Sequence, residues 1–385
     1  MGDRLIYLDN AATTCPKPPQ VLEAMALWYR EYAVSPGRGS YDLAVQAGDL
    51  VDQARRKLAR LFGAPDPDRV VFAANATDAL NLVFNGLLRP GDHVLSTRLE
   101  HNSVLRPLHH FRERGWISFD LLPFDGRGLV DPDDLRRGLK PNTRAVVVNH
   151  ASNVVGSVQP AAEFGRICAD RGIPLILDAA QSAGIVPIAM AEWHVSALAF
   201  TGHKGLYGPT GIGGLVLLPG LEVQPSRFGG TGVDSRNLAH TPTFPHRLEA
   251  GTLNLPGIMG LAAGVDWVLE QGLERIHARE LALLTRLRDG LRELPGVTLY
   301  CAGDLAGHVP VLTLNVDRVN PEDVGAILDA DFNIAVRVGL HCAPLAHQQL
   351  GSLDRGAVRF SPGAFNTEDD IDQAVRAVAS LARRG

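Results

Sequence analysis

A single lysine, Lys204, lies in the glycine-rich stretch TGHKGLYGPTGIGG, which spans residues 201–214. Glycine allows a backbone to approach a ligand closely, so a glycine-rich loop after an apolar run often marks a binding site. Lysine side chains are usually solvated, and taken alone Lys204 is typical of a surface residue. Its interpretation therefore depends on the residues that the fold brings to this loop.

Polar residues follow several apolar, β-branched runs, at the points where strands of a parallel sheet should end. They are Asn153, Asp178, Gln181 and the segment 201–204. Functional groups in open α/β sheets gather at the carboxyl ends of the strands. Asp178 directly follows the apolar run PLIL, where an unpaired charge would be costly, so it needs a cationic or hydrogen-bonding partner. An N-cap for the next segment is an equally good account of this aspartate.

Two further residues open predicted helices. Thr77, in NATDALN, follows a strand at a position where free N–H groups and the helix dipole favour a phosphate, although capping alone also explains it. His101, in LEHNSVL, opens another helix, where a lone histidine is more often a cap or a surface residue. Together with Lys204 and Asp178 they form a coherent set: a Schiff-base lysine, a carboxylate for a pyridinium nitrogen, a phosphate site and a ring that can stack. Pyridoxal phosphate (PLP) requires these groups.

Composition narrows the class of protein. The 385 residues suggest two or three domains, and the net charge of −5 comes from scattered charges with no basic stripe for nucleic acid or a membrane surface. This charge pattern predicts a small-molecule substrate, and the separated cysteines favour a reducing cytoplasm. No targeting signal or membrane span is predicted. The cysteines form no CxxC pair, which argues against a disulfide framework or a zinc ribbon. They are Cys15, Cys168, Cys301 and Cys342.

The order of apolar runs predicts the architecture. From about residue 69, short β-branched runs alternate with helical patterns, which indicates βα units and a largely parallel sheet. The runs are RVVFAA, GDHVLST, ISFDLLPF, RAVVVNHAS, IPLILDAAQ, VSALAFTGHK and GGLVLL. Long helices then lead into a smaller α+β domain, which also takes in the N-terminal segment. The predicted boundaries are 1–18 for that segment, 19–262 for the large domain and 263–385 for the small C-terminal domain.

Eight ordered motifs carry a family resemblance: YLDNAATT, NATDALNL, EHNSVLRPL, HASNVVGSVQP, DAAQSAG, TGHKGLYGPTGIGG, EAGTLNLPGI and RVGLHCAP. Nearly end to end, the chain resembles the class V aminotransferase-like enzymes, and specifically the group II (SUF-type) cysteine desulfurases and selenocysteine lyases. The resemblance implies the fold-type I PLP-dependent transferase architecture, with a mostly parallel seven-stranded sheet in the large domain. It also implies a homodimer with shared active sites and no metal cofactor.

The resemblance assigns roles to residues of this chain. Around the cofactor, Lys204 would form the Schiff base, Asp178 would pair with the pyridine nitrogen, Gln181 would bind the ring oxygen, and His101 would stack on the ring and is a candidate for proton transfer. The phosphate ligands would be Ala76, Thr77, Thr201 and His203, with Thr252 donated by the second subunit. The substrate carboxylate would be held by Asn153 and Arg359, with Ala11, Ala12 and Arg337 also near the substrate. For Arg359, a surface ion pair is the alternative from the residue alone.

Cys342, in LHCAPLAH, decides between activities. The resemblance makes it the thiolate that attacks the substrate sulfur. The local alternatives are a metal site with His341 and His347, which lacks a fourth ligand, and a buried inert thiol. Two departures from the family pattern bear on proton transfer or substrate preference. Leu340 and Tyr41 each occupy a position where many members of the family have a histidine.

The predicted function is removal of sulfur from L-cysteine, giving L-alanine and a persulfide on Cys342. The outer sulfur of that persulfide would pass to a sulfur-acceptor protein. Three alternatives stay open: a selenocysteine lyase, another class V reaction such as lysis of a different thiol conjugate or epimerisation, and a PLP-binding regulator without catalysis. The presence of Lys204, Asp178, His101 and Arg359 together argues against the last.

Overall fold

The computed structural model describes residues 4–36, 39, 41–233 and 235–383. Its strands are β1 (Ile6–Tyr7), β2 (Val70–Ala73), β3 (Asp92–Thr97), β4 (Ile117–Leu122), β5 (Thr143–Asn149), β6 (Leu175–Asp178), β7 (Val195–Thr201), β8 (Gly213–Leu217), β9 (Val297–Leu299), β10 (Leu312–Val316), β11 (Ile334–Ala335), β12 (Arg337–Gly339) and β13 (Ala357–Phe360). Its α-helices are α1 (Pro19–Leu27), α2 (Asp42–Leu61), α3 (Ala76–Leu87), α4 (Asn102–Glu113), α5 (Pro132–Gly138), α6 (Ala161–Ala169), α7 (Leu255–Gln271), α8 (Leu273–Arg292), α9 (Pro321–Phe332), α10 (Pro344–Gln349) and α11 (Glu368–Ala382). None of these helices is long and apolar enough to cross a membrane.

A seven-stranded sheet forms the centre of the molecule, in the order β2-β8-β7-β6-β5-β3-β4. Only β8 runs against its neighbours, and the other pairings are parallel. Each of the seven apolar runs identified in the sequence forms one of these strands. The predicted fold class is confirmed.

Both faces of this sheet are buried, each under its own apolar cluster. Successive side chains of a strand point to opposite sides, so each strand contributes to both clusters. On β6, Leu177 packs into the apolar cluster on one face and Ile176 into the cluster on the other. Phe200 and Ala199 alternate in the same way on β7. Polar side chains that can face a ligand therefore begin at the carboxyl ends of the strands, where Asp178 ends β6 and Thr201 ends β7.

A second, antiparallel sheet follows the order β12-β13-β10-β9. Its core also contains Ile6 and Leu8, and β1 pairs in parallel with β11. The N-terminal segment thus packs with the C-terminal part of the chain. The domain boundaries stay a prediction; the one at 262/263 falls within α7.

Candidate active site

A cavity of about 290 Å³ opens at the carboxyl ends of β5, β6 and β7. It brings together nearly all the residues that the sequence singled out. Those residues are Ala11, Ala12, Ala76, Thr77, His101, Asn153, Asp178, Gln181, Thr201, His203, Lys204, Arg337, Cys342 and Arg359. Thr252 is exposed and does not line this cavity.

Lys204 projects from the loop that follows β7, and the glycines beside it permit close backbone packing. A Cβ on Gly205 would lie only 2.6 Å from the carbonyl oxygen of Ala183. Burial, aided by the Arg359 guanidinium and opposed by Asp178, lowers the pKa of the Lys204 amine to about 8. Part of the amine is therefore neutral near pH 7, which a nucleophilic or basic lysine requires.

Asp178 ends β6 and is only 4 % exposed. Its Oδ1 accepts a hydrogen bond from the backbone N–H of Ala180 at 2.9 Å, and its Oδ2 accepts one from the Ser103 hydroxyl at 3.3 Å. These bonds supply the hydrogen-bonding partners that the sequence predicted for a carboxylate at this sheet edge. They orient the carboxylate and leave it on the wall of the cavity.

His101 both caps a helix and faces the cavity. As the N-cap of α4, it accepts a hydrogen bond at Nδ1 from the backbone N–H of Ser103 at 3.0 Å, and its ring also lines the cavity. Burial lowers the pKa of the ring. A neutral imidazole that accepts at Nδ1 carries its proton on Nε2.

The start of α3 is a candidate anion site. Ala76 and Thr77 are its first two residues, where backbone N–H groups lack helical partners and the dipole favours negative charge. Beside them, the Thr201 hydroxyl and Nδ1 of His203 are buried and have no hydrogen-bond partner among the described residues. Burial lowers the pKa of His203 to about 4, with smaller contributions from Lys204 and Lys17. Buried polar atoms are normally satisfied, so these two fit the oxygens of an oxyanion such as a phosphate.

Arg359 lies on β13 with its guanidinium against the cavity. Nη1 donates to the carbonyl oxygen of Asn153 at 3.1 Å, and Nη2 donates to Oδ1 of Asp9 at 2.7 Å. Nε is buried and has no partner in the part of the chain that the structure describes. Asn153 donates its amide N–H to the carbonyl oxygen of His341 at 2.6 Å. The alternative of a surface ion pair is wrong, because the pair is buried.

Gln181 also lines the cavity and donates from Nε2 to the carbonyl oxygen of Ala11 at 2.9 Å. The backbone N–H of Ala11 in turn donates to the Ser361 hydroxyl at 2.9 Å. The loop of the DNAATT motif is thereby tied to the wall of the site.

Cys342 lies on the loop between β12 and α10 and is exposed, unlike the buried Cys168. His341 and Cys342 both adopt the left-handed conformation, with φ of +50° and +56°. The backbone N–H of Asn102 fixes the loop by donating to the Cys342 carbonyl oxygen at 2.7 Å. The charge of a Cys342 thiolate acts on both Lys204 and Arg359. Cys342 is therefore not a buried thiol, and that part of the alternative is wrong.

The neighbouring histidines bond to each other. Nδ1 of His341 lies 3.0 Å from Nε2 of His347, and Nδ1 of His347 lies 2.8 Å from the Ser352 hydroxyl. Burial lowers the pKa of both rings, to about 4 for His347. Within the described ranges, no group of three His, Cys, Asp or Glu residues could hold a metal ion. The alternative of a metal site with Cys342 thus has no geometric support.

Sequence reasoning left several cavity residues without a role. They are Asn75, Ser103, Asn149, Ala151, Ala180 and His341. Asp9, the partner of Arg359, and Asn75 stand inside motifs quoted above, so a signal for them existed. Leu340 and Tyr41, the two departures from the family pattern, do not line the cavity.

The model of the family "Aminotransferase class-V" matches residues 6–374 of this chain. A protein of Methanothermobacter thermautotrophicus named as a probable cysteine desulfurase is 35 % identical over 386 residues, which cover 99 % of this chain and 95 % of that protein. A cysteine desulfurase of Salmonella dublin is 31 % identical, with 99 % and 94 % covered.

Solved structures agree. The apo structure of a cysteine desulfurase from Thermococcus onnurineus superposes with a TM-score of 0.93 at 35 % identity, covering 99 % of this chain and 95 % of that one. An Escherichia coli cysteine desulfurase in an S-sulfonic acid form gives a TM-score of 0.87 at 29 % identity, with 99 % and 95 % covered. The chain therefore belongs to the class V aminotransferases and, within them, to the cysteine desulfurase family. This family implies PLP as the cofactor.

Proposed function

We propose that this protein is a PLP-dependent cysteine desulfurase that converts L-cysteine to L-alanine and leaves a persulfide on Cys342. The observation that carries the proposal is the position of the exposed Cys342 thiol, which lines the same cavity as Lys204 and Arg359. A lysine, a carboxylate-binding arginine and a free thiol in one cavity are the groups that this reaction needs.

The residues present fit PLP. Lys204 would form the Schiff base with the cofactor, Asp178 would hold its pyridine nitrogen protonated, and His101 would stack on its ring. The orphaned Thr201 hydroxyl and His203 Nδ1, together with the start of α3, would bind its phosphate. When bound, PLP supplies an electron sink that acidifies the Cα–H bond of an amino acid.

Arg359 would hold the substrate carboxylate. Its unpartnered Nε–H is available for this bond, and the pairing with Asp9 fixes the plane of the guanidinium. Lys204, once released by the substrate amine, would take the Cα proton, for which an amine pKa of about 8 is suited. The two side chains together orient the substrate and move its proton.

Cys342 would act last. Its thiolate attacks the substrate sulfur, so that an S–S bond forms, the substrate Cβ–S bond breaks, and the electron pair of that bond stays with the substrate carbon. Protonation of that carbon, followed by return of the Cα proton from Lys204, gives alanine, and the persulfide on Cys342 then passes sulfur to an acceptor protein.

The functional unit in this proposal is a homodimer in a reducing cytoplasm. The exposed position of Thr252 leaves it accessible to the cavity of a second subunit, and the four cysteines are free. A thiol that must accept sulfur requires reducing surroundings.

The experiment is an assay of alanine formation by purified, PLP-loaded protein from cysteine, selenocysteine and cystathionine side by side. We expect alanine from cysteine, with a sulfur adduct on the Cys342 peptide by mass spectrometry. Alanine from selenocysteine alone would contradict the proposal in favour of a selenocysteine lyase. Products from cystathionine alone would indicate another class V lyase.

A further inference from the structure

Lys17 lies outside the group of residues that line the cavity, yet its ammonium contacts the backbone directly before Lys204. Nζ donates to the carbonyl oxygen of His203 and to Oγ1 of Thr14, both at 2.7 Å. Burial lowers the pKa of this amine to about 8. Within the part of the chain that the structure describes, no carboxylate pairs with it. Partial burial of an ammonium without a counter-charge is unfavourable, so the two hydrogen bonds that Lys17 makes are the candidates for its role.

The carbonyl oxygen of His203 is an unusually crowded acceptor. Besides Lys17, it accepts from Oγ1 of Thr13 at 3.0 Å, and from the backbone N–H and the hydroxyl of Thr14 at 3.0 and 3.2 Å. A carbonyl oxygen has two lone pairs, and the charge-assisted bond is the strongest of those converging here. This oxygen is therefore one point at which the N-terminal segment holds the loop of Lys204; the Thr14 hydroxyl also lies 3.2 Å from the Lys204 carbonyl oxygen.

The position of the His203 carbonyl links it to two residues of the cavity. It belongs to the peptide that joins His203 to Lys204, so fixing it restricts both the His203 ring, with its unpartnered Nδ1, and the start of the Lys204 side chain. The charged groups that act on the His203 ring are Lys204 and Lys17, and both lower its pKa.

We propose that Lys17 is a positioning residue whose ammonium anchors the His203 carbonyl, and thereby holds the His203 ring and the Lys204 amine in place for the cofactor. The inference rests on the proposed function in taking PLP as the ligand of this cavity.

The test compares Lys17→Met, which removes the charge at similar length, with Lys17→Arg, which keeps it. Two measurements do not depend on turnover: the affinity for PLP by absorbance titration, and the titration of the His203 imidazole by NMR in protein without cofactor. Loss of a charge-assisted hydrogen bond should weaken PLP binding about tenfold in Lys17→Met. The His203 pKa should rise, and Lys17→Arg should restore both values.

Lys140→Met is the matched control, because Lys140 pairs at the surface with Asp120 at 2.6 Å, away from the cavity. It should leave both measurements unchanged. Lys17→Gln keeps a donor but not the charge, and serves if Lys17→Met does not fold; its His203 pKa should rise in the same way.

Equal PLP affinity and equal His203 titration in the wild type and the neutral variants would overturn the inference, whatever the activity. A defect in Lys17→Arg as large as that in Lys17→Met would also overturn it, because a cation would then not be what matters. A wild type that binds PLP but makes no alanine from cysteine would contradict the proposed function and leave the Lys17 comparison interpretable.

Discussion

Arg359 and Asp9, 350 positions apart in the chain, form an ion pair at 2.7 Å in which the two side chains are only 4 % and 17 % exposed. Burial of the guanidinium lowers the pKa of Arg359, and Asp9 opposes that effect. The pair holds the arginine at the wall of the cavity and leaves its Nε–H free. In the proposed function, the substrate carboxylate would bind this N–H without displacing Asp9.

Arg359→Lys should therefore raise KM for cysteine about tenfold or more, with a smaller effect on kcat. Lysine keeps the positive charge but lacks the planar guanidinium with its several N–H donors. It therefore cannot hydrogen-bond to Asp9 and to a substrate carboxylate in the same geometry. Steady-state kinetics measure this, with Arg337→Lys as the control, because Arg337 lines the cavity but is exposed. A larger KM effect at Arg337 would transfer the carboxylate role to that residue.

The Lys204 amine should govern Schiff-base formation as a group with a pKa of about 8. Only the neutral amine attacks the PLP carbonyl, so in protein stripped of PLP the rate should increase as pH rises and level off above about pH 8. Borohydride trapping and peptide mapping measure it. Arg359→Gln should move the curve to higher pH, because the guanidinium lowers the Lys204 pKa, whereas Arg337→Gln should not. A label on Lys17, or a rate independent of pH, would contradict this.

Much of the site could be predicted because its residues directly follow strands that are recognisable in the sequence. Asp178 follows an apolar strand and Lys204 follows the next, and the rules of parallel sheets bring their ends together. The Arg359–Asp9 pair could not be predicted this way. It depends on the parallel bridge between Asp9 and Ser361, which is a long-range register with no local signal. The bond from Lys17 to the His203 carbonyl has the same origin, since it joins two loops that are distant in the chain.

Thr252 offers a test of the shared site. A mixed dimer of Thr252→Ala and Lys204→Ala chains has one complete site if Thr252 reaches the partner, and none if it serves its own chain. Recovery of activity in the mixed dimer, above that of either parent, is the expected result. Thr243→Ala replaces Thr252→Ala in the control, because Thr243 is another exposed threonine of the same connection. Full activity of a monomer in sedimentation would rule out sharing.

Glu280 should make stability depend on pH. Burial raises the pKa of this carboxyl to about 8, while the Tyr207 hydroxyl donates to it at 3.1 Å. Below the unfolded pKa of 4.5, both states are protonated. As pH rises from there to about 8, the unfolded chain loses the proton while the folded chain keeps it, so the free energy of unfolding falls.

Glu280→Gln removes this titration. Between about pH 5 and 8 the thermal midpoint of this variant should therefore fall less than that of the wild type. The difference between the two falls should be on the order of 5 °C. Glu274→Gln, an exposed substitution on the same helix, is the control and should keep the wild-type dependence. Identical pH dependence in Glu280→Gln and the wild type would show that Glu280 ionises normally in the folded protein.

The central claim is that the Cys342 thiol accepts sulfur, and the most direct measurement is alanine production by the wild type and by Cys342→Ala on cysteine and on selenocysteine. The variant should still bind PLP, because no proposed cofactor ligand is changed. It should make little alanine from cysteine, since no thiolate attacks the sulfur, and lose less activity on selenocysteine, where selenium leaves more readily. Cys301→Ala controls for loss of a cysteine elsewhere, and the wild-type Cys342 peptide should carry an extra sulfur by mass spectrometry. Full activity of Cys342→Ala on cysteine, with no adduct in the wild type, would contradict the account.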